Sequence, residues 1–102
     1  MLFRSAVPIP VYAEMGSLNP VFFTPGALKA GAENLAKASL DSATLGSGQF
    51  CTKPGIMVIP TGSEGDEFLK HVESYLASLQ VAPLLNKGIA DRYSAEIGRA
   101  HV

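Results

Sequence analysis

The sequence predicts an α/β fold with a largely parallel sheet, and three observations carry that expectation. A continuous apolar run, GIMVIP (55–60), has the composition of a strand buried on both faces. Two stretches with helical hydrophobic spacing, about 27–45 and 64–80, flank it. Short β-prone stretches precede the first helix, so the order reads strand, helix, strand, helix.

Each element has its own justification. PIPVYAEMG (8–16) alternates Val11 and Ala13 with Tyr12 and Glu14, and Gly16 and Ser17 stop it, so a short strand delivers Glu14 at its end. NPVFFTPG (19–26) reads as a second brief strand, with Pro20 at its edge and Pro25-Gly26 closing it. From Ala27 to about Leu45 the residues are helix formers. One stripe holds Leu28, Ala32, Leu35, Ser39 and Ser42, with Ala36, Leu40 and Ala43 beside it. A face this small packs closely against its neighbour. Gly46 and Gly48 end the helix and place Cys51 in a loop. Ser63 and Asp66 have the spacing of a capping box for the second helix. That helix sets Phe68, Leu69, Val72, Tyr75, Leu76 and Leu79 against Glu67, Lys70, His71, Glu73 and Ser74. No internal repeat interrupts the order. Three strands cannot bury GIMVIP on both faces, so the chain reads as part of a domain.

Composition narrows the function. With 47% hydrophobic and 17% charged residues, the 102-residue chain is ordinary globular material. A net charge of −1 with acids and bases interspersed forms no basic stripe, which argues against nucleic acid and membrane surfaces as partners. The single cysteine makes no internal disulfide, no Cys/His cluster has metal-ligand spacing, and no apolar run reaches the roughly 18 residues of a membrane span. Pro8 and Pro10 break the amino-terminal stretch after Arg4, so it lacks the apolar segment of a secretory signal, and a cytoplasmic setting is expected.

The two ends read differently from the middle. LFRS (2–5) can be encoded by CTC TTC CGA TCT, and EIGRAHV (96–102) by GAG ATC GGA AGA GCA CAC GTC. The first is the reverse complement of a stretch within the second, and both resemble a common sequencing adapter. Residues 1–5 and 96–102 are therefore expected to be adapter-derived, with 6–95 as the natural stretch.

Two side chains could carry chemistry. A free cysteine reacts as its thiolate and needs exposure. Cys51 follows the carboxyl end of a helix, where the dipole is negative and gives no help, whereas Lys53 shares its face if the segment between them is extended. Glu14 is a candidate general base. Against these stand plain readings: a lone cysteine as a small buried hydrophobe, a glutamate beside a turn as a solvated carboxylate, GSLNP (16–20) as a mere turn, and His71 as part of a solvated helix face. Residue types alone leave the choice open.

Motif order moves it. EMGSLNP (14–20) followed, after one helix, by GSGQFCTKPG (46–55) resembles the glutamate and cysteine motifs of the aldehyde dehydrogenase superfamily. The commoner glutamate motif reads E-L-G-G-K-x-P, and here Met15, Ser17, Leu18 and Asn19 depart from it. These departures, with PIPVYAE before and VFFTPGAL after, resemble the bacterial branch that includes α-ketoglutaric semialdehyde (2,5-dioxovalerate) dehydrogenases and some long-chain fatty aldehyde dehydrogenases.

The resemblance implies a fragment of the aldehyde dehydrogenase fold, spanning the junction of cofactor and catalytic domains. It implies Cys51 as the nucleophile, its backbone N–H as one oxyanion donor, and Glu14 as the base that activates water. Met15 and Gly16 match positions whose backbone approaches the nicotinamide of NAD or NADP, while Gln49 belongs to the cysteine motif with no evident chemical part. The implied substrate is a small-molecule aldehyde and the implied parent a homo-oligomer. The second oxyanion donor and the phosphate-gripping segment lie outside the chain, so the piece alone is expected to be inactive. Two other classes compete: a thiol redox module, which ordinarily wants a resolving partner or a cationic pocket, and a non-catalytic interaction domain, favoured by a buried Cys51.

Overall fold

The computed structural model describes residues 10–12, 16–80 and 82–97. Glu14, Met15, most of the strand expected over 8–16, and the end segments 1–5 and 98–102 lie outside the described residues, and residues 10–12 and 16 belong to no regular element. The order is β1 (Asn19–Phe22), α1 (Pro25–Thr44), a 3-10 turn (Leu45–Gly48), β2 (Pro54–Val58), α2 (Ser63–Leu76) and α3 (Lys87–Glu96).

Helix α1 begins two residues before the expected Ala27, because Thr24 caps it. The Thr24 hydroxyl accepts from the Ala27 N–H at 3.2 Å, and Pro25 follows as a first-turn proline. It kinks at Gly31, whose φ and ψ of −178° and 57° leave the helical region. Its end is set by three successive left-handed residues, Gly46, Ser47 and Gly48, with φ of 56°, 59° and 74°. Glycine takes that conformation without a Cβ clash, and Ser47 is the non-glycine exception.

The chain then returns beside its start. β1 and β2 pair in parallel, Val21 with Met57 and Phe22 with Val58, and the ladder continues through Phe23 N–H to the Val58 carbonyl at 3.0 Å. The register shifts between Asn19 and Pro20, where the proline has no N–H for the ladder.

The core lies where α1 crosses the sheet and meets α2. Leu28, Ala32, Ala36, Phe23 and Phe68 are buried, with Val21, Leu35, Met57, Ile59 and Val72 packed around them. Leu40 continues the seam, so α1 buries every fourth residue from Leu28, and its small Ala32 and Ala36 let α2 approach. The Phe23 and Phe68 rings stand 4.6 Å apart at 42°.

β2 covers Pro54–Val58 rather than the whole of GIMVIP, and Ile56 and Val58 remain 46% and 43% exposed, in keeping with a run that three strands cannot bury on both faces. Two other expectations fail. Leu69 and Leu76 of α2 face outward, and the helix ends at Leu76 rather than near 80. No capping box forms: Gly62, at φ 112°, holds the cap position, and Ser63 is already helical and donates to the Glu64 carboxylate at 2.9 Å. The backbone N–H of Glu64 first, and then this hydroxyl, hold the Glu64 carboxyl below its ordinary value. Gly65 is glycine for a nearby reason. A Cβ there would collide with the Pro60 carbonyl, which is backbone and cannot swing aside as a side chain would. The third helix, α3, was not foreseen in the sequence; Asn86 caps it by accepting from the Ile89 N–H at 3.0 Å.

Candidate active site

Cys51 is exposed in a turn between the left-handed stretch and β2. The Lys53 N–H donates to the Phe50 carbonyl at 3.2 Å, so the segment is folded rather than extended. This corrects the expectation that Lys53 shares a face with Cys51. The Lys53 stem lies beside Gly48, its Cδ 3.7 Å from where a Cβ on that glycine would stand. Among the described residues, no acceptor takes the Cys51 N–H.

Because β1 and β2 are adjacent and parallel, the segments that enter them lie side by side. GSLNP enters β1 and the cysteine turn enters β2. The Asn19 side-chain amide donates to the Cys51 carbonyl at 2.8 Å and the Lys53 carbonyl at 2.9 Å, and reaches the Ser17 hydroxyl at 3.0 Å. Ser17 in turn donates to the Cys51 carbonyl. Leu18 lies over Gly55 so closely that a Cβ at Gly55 would collide with it. GSLNP is therefore a tie to the cysteine turn, not the mere turn that its composition allowed. The sequence offered only an amide side chain before a proline at a strand entry, with nothing to name its partner across the sheet.

Gly16 opens this segment. It is exposed, and among the described residues a Cβ built on it meets nothing within 4 Å. Glu14 and Met15, immediately upstream, lie outside the described residues.

Gln49 has a definite structural part. Its amide donates to the Gly46 carbonyl at 2.8 Å and accepts from the Leu85 N–H at 3.0 Å, while Ser47 donates to the Pro83 carbonyl at 3.2 Å. The chain between α2 and α3 is thereby strapped to the start of the cysteine loop. Among the described residues no group of three His, Cys, Asp or Glu side chains could hold a metal ion, and no helix is long and apolar enough to cross a membrane.

A polar groove lies between α1 and α2, away from Cys51. Lys37 donates to Asp41 at 2.7 Å and Tyr75 donates to it at 2.6 Å, with the Lys37 ammonium 5.1 Å from the Tyr75 ring centre. His71 is half-buried, 3.8 Å from Glu67. The Lys37 hydrogen bond, followed by that of Tyr75, holds the Asp41 carboxyl below its ordinary 3.8, and Asp41 raises Lys37 in return. A carboxyl depressed by folding stabilises above its unfolded value, and that contribution is lost as pH falls through the folded one. The cluster is exposed, so the effect is small. Asp41→Asn should lower helicity slightly at neutral pH, and the difference, followed by circular dichroism, should close as the pH drops below 3.8.

The tie between GSLNP and the cysteine turn joins the two motifs on which the sequence resemblance rests. Over 86 residues the chain is 46% identical to alpha-ketoglutaric semialdehyde dehydrogenase 2 of Azospirillum brasilense, covering 84% of this chain and 16% of that protein. The chain resembles the aldehyde dehydrogenases. A second such relative, alpha-ketoglutaric semialdehyde dehydrogenase of Acinetobacter baylyi, is 37% identical over 90 residues, covering 88% of this chain and 17% of that protein. The chain thus spans only a small part of the length of these dehydrogenases. No family model and no solved structure match it.

Proposed function

We propose that residues 6–95 are an internal piece of an NAD- or NADP-dependent aldehyde dehydrogenase, with Cys51 as nucleophile and Glu14 as general base. The observation that carries this reading is the tie from Ser17 and Asn19 to the Cys51 carbonyl, which seats the segment just after Glu14 against the cysteine turn. The names of both relatives support the same class. In this reading the piece spans the junction of the cofactor and catalytic domains of a cytoplasmic homo-oligomer, and residues 1–5 and 96–102 are adapter-derived.

The chemistry follows from the side chains. The Cys51 thiolate adds to the aldehyde carbon, forming a C–S bond, and the carbonyl π electrons move to oxygen, where the Cys51 N–H donates to the new oxyanion. Met15 and Gly16 would hold the nicotinamide end of the cofactor. When bound, the cofactor supplies the hydride acceptor that turns the thiohemiacetal into a thioester. Glu14 takes a proton from water, the hydroxide adds to the thioester, and the C–S bond breaks to release the carboxylate and the thiolate. The substrate that fits both relatives' names is 2,5-dioxovalerate, the α-ketoglutaric semialdehyde.

The test is recovery of the uninterrupted gene and an assay of its product with 2,5-dioxovalerate and long-chain aldehydes against NAD and NADP. Reduced nicotinamide formed with 2,5-dioxovalerate supports the reading, and the 102-residue chain alone should form none. A product inert towards every aldehyde, with Cys51 instead cycling through reversible oxidation, would favour a thiol redox module.

A further inference from the structure

We propose that Asn19 is a positioning residue for Cys51, with Ser17 as its second arm. This inference rests on Cys51 being the nucleophile.

One side-chain amide meets the carbonyls of both Cys51 and Lys53, at 2.8 Å and 2.9 Å, so the Cys51–Thr52 and Lys53–Pro54 peptide planes are turned toward the same group. The Ser17 hydroxyl converges on the Cys51 carbonyl as well, giving that oxygen two donors. Both lone pairs of the carbonyl are thereby engaged, which fixes the rotation of the backbone immediately after the Cα that bears the thiol. The donor is itself held. Asn19 precedes Pro20, which confines it to extended backbone, and it is half-buried at the entry of β1, paired with Pro54. Leu18 over the bare Gly55 keeps the two segments at this spacing. One clamp therefore sets the orientation of Cys51 relative to the segment that follows Glu14.

Displacement of a reacting group by about 1 Å costs on the order of 10²-fold in rate. In the uninterrupted enzyme, Asn19→Ala should therefore lower kcat by about 10²-fold with KM for the cofactor unchanged. Asn19→Asp should do at least as much harm, because it sets a carboxylate against two carbonyl oxygens. Ser17→Ala should weaken turnover less, and Ser17→Thr, which keeps the hydroxyl, should restore it.

Hydrogen exchange followed by mass spectrometry of the peptide covering 50–55 reads the clamp without reference to activity. Asn19→Ala should speed exchange at residues 51–53 and leave peptides from α1 and α2 unchanged. If Asn19→Ala does not fold, Ser17→Ala carries the same two readouts. Unchanged exchange at 51–53, or an equal rise across α1 and α2, would overturn the positioning role. An enzyme whose loop exchange responds but which oxidises no aldehyde would also overturn it, through failure of the nucleophile reading rather than of the clamp.

Discussion

Cys51→Ala in the uninterrupted enzyme is expected to abolish aldehyde oxidation while leaving the fold intact. The two parts of that outcome have separate causes. Loss of the sulfur removes the only atom in this turn able to form the C–S bond, so neither thiohemiacetal nor thioester can arise. The turn itself is held through the Cys51 carbonyl and the Lys53 carbonyl, both backbone groups that alanine retains. Turnover should thus fall to background with an unaltered circular dichroism spectrum and melting temperature. Retained activity in Cys51→Ala would leave the residue a small side chain in a surface turn.

Glu14→Gln should behave differently. Glutamine keeps the shape of the side chain and removes its basicity, so the thiol can still attack and hydride can still leave. One equivalent of reduced cofactor per site should appear in a burst on mixing with excess aldehyde. Steady turnover should then fall by about 10²–10⁴-fold, the usual cost of losing a general base. Stopped-flow absorbance separates the two phases. A steady state at the full rate would remove Glu14 from the chemistry.

Much of the fold was legible locally. The α1 stripe and the glycines that end it needed only helical periodicity and left-handed backbone, and the parallel pairing of β1 with β2 followed from a helix between two strands. What failed depended on things a local pattern does not contain. The apolar content of β2 does not say what covers it, and Ile56 and Val58 stay open among the described residues. Ser63 resembled a cap because residue types at three-residue spacing do not report backbone angles, and Gly62 took the position with a φ that serine avoids. Helix α3 is the exception: it buries none of its residues, yet Ile89, Tyr93 and Ile97 recur every four residues behind the Asn86 cap, so its signals were present in the sequence and were not read. At the candidate site, Cys51 and Gly16 were singled out by motif. The role of Asn19 was not, because it depends on two strand entries lying side by side, which is a property of the sheet. Gln49 was hidden in the same way, since its partner Leu85 is distant in sequence.

In the proposed mechanism the Cys51 sulfur carries the acyl group during turnover. The most direct measurement is mass spectrometry of the uninterrupted Glu14→Gln enzyme, quenched in acid during the burst with 2,5-dioxovalerate and the cofactor it reduces. An acyl thioester is expected on the peptide containing Cys51, stable to the quench and absent when cofactor is omitted. A burst of reduced cofactor with that peptide unmodified, or with the acyl group on another residue, would contradict it.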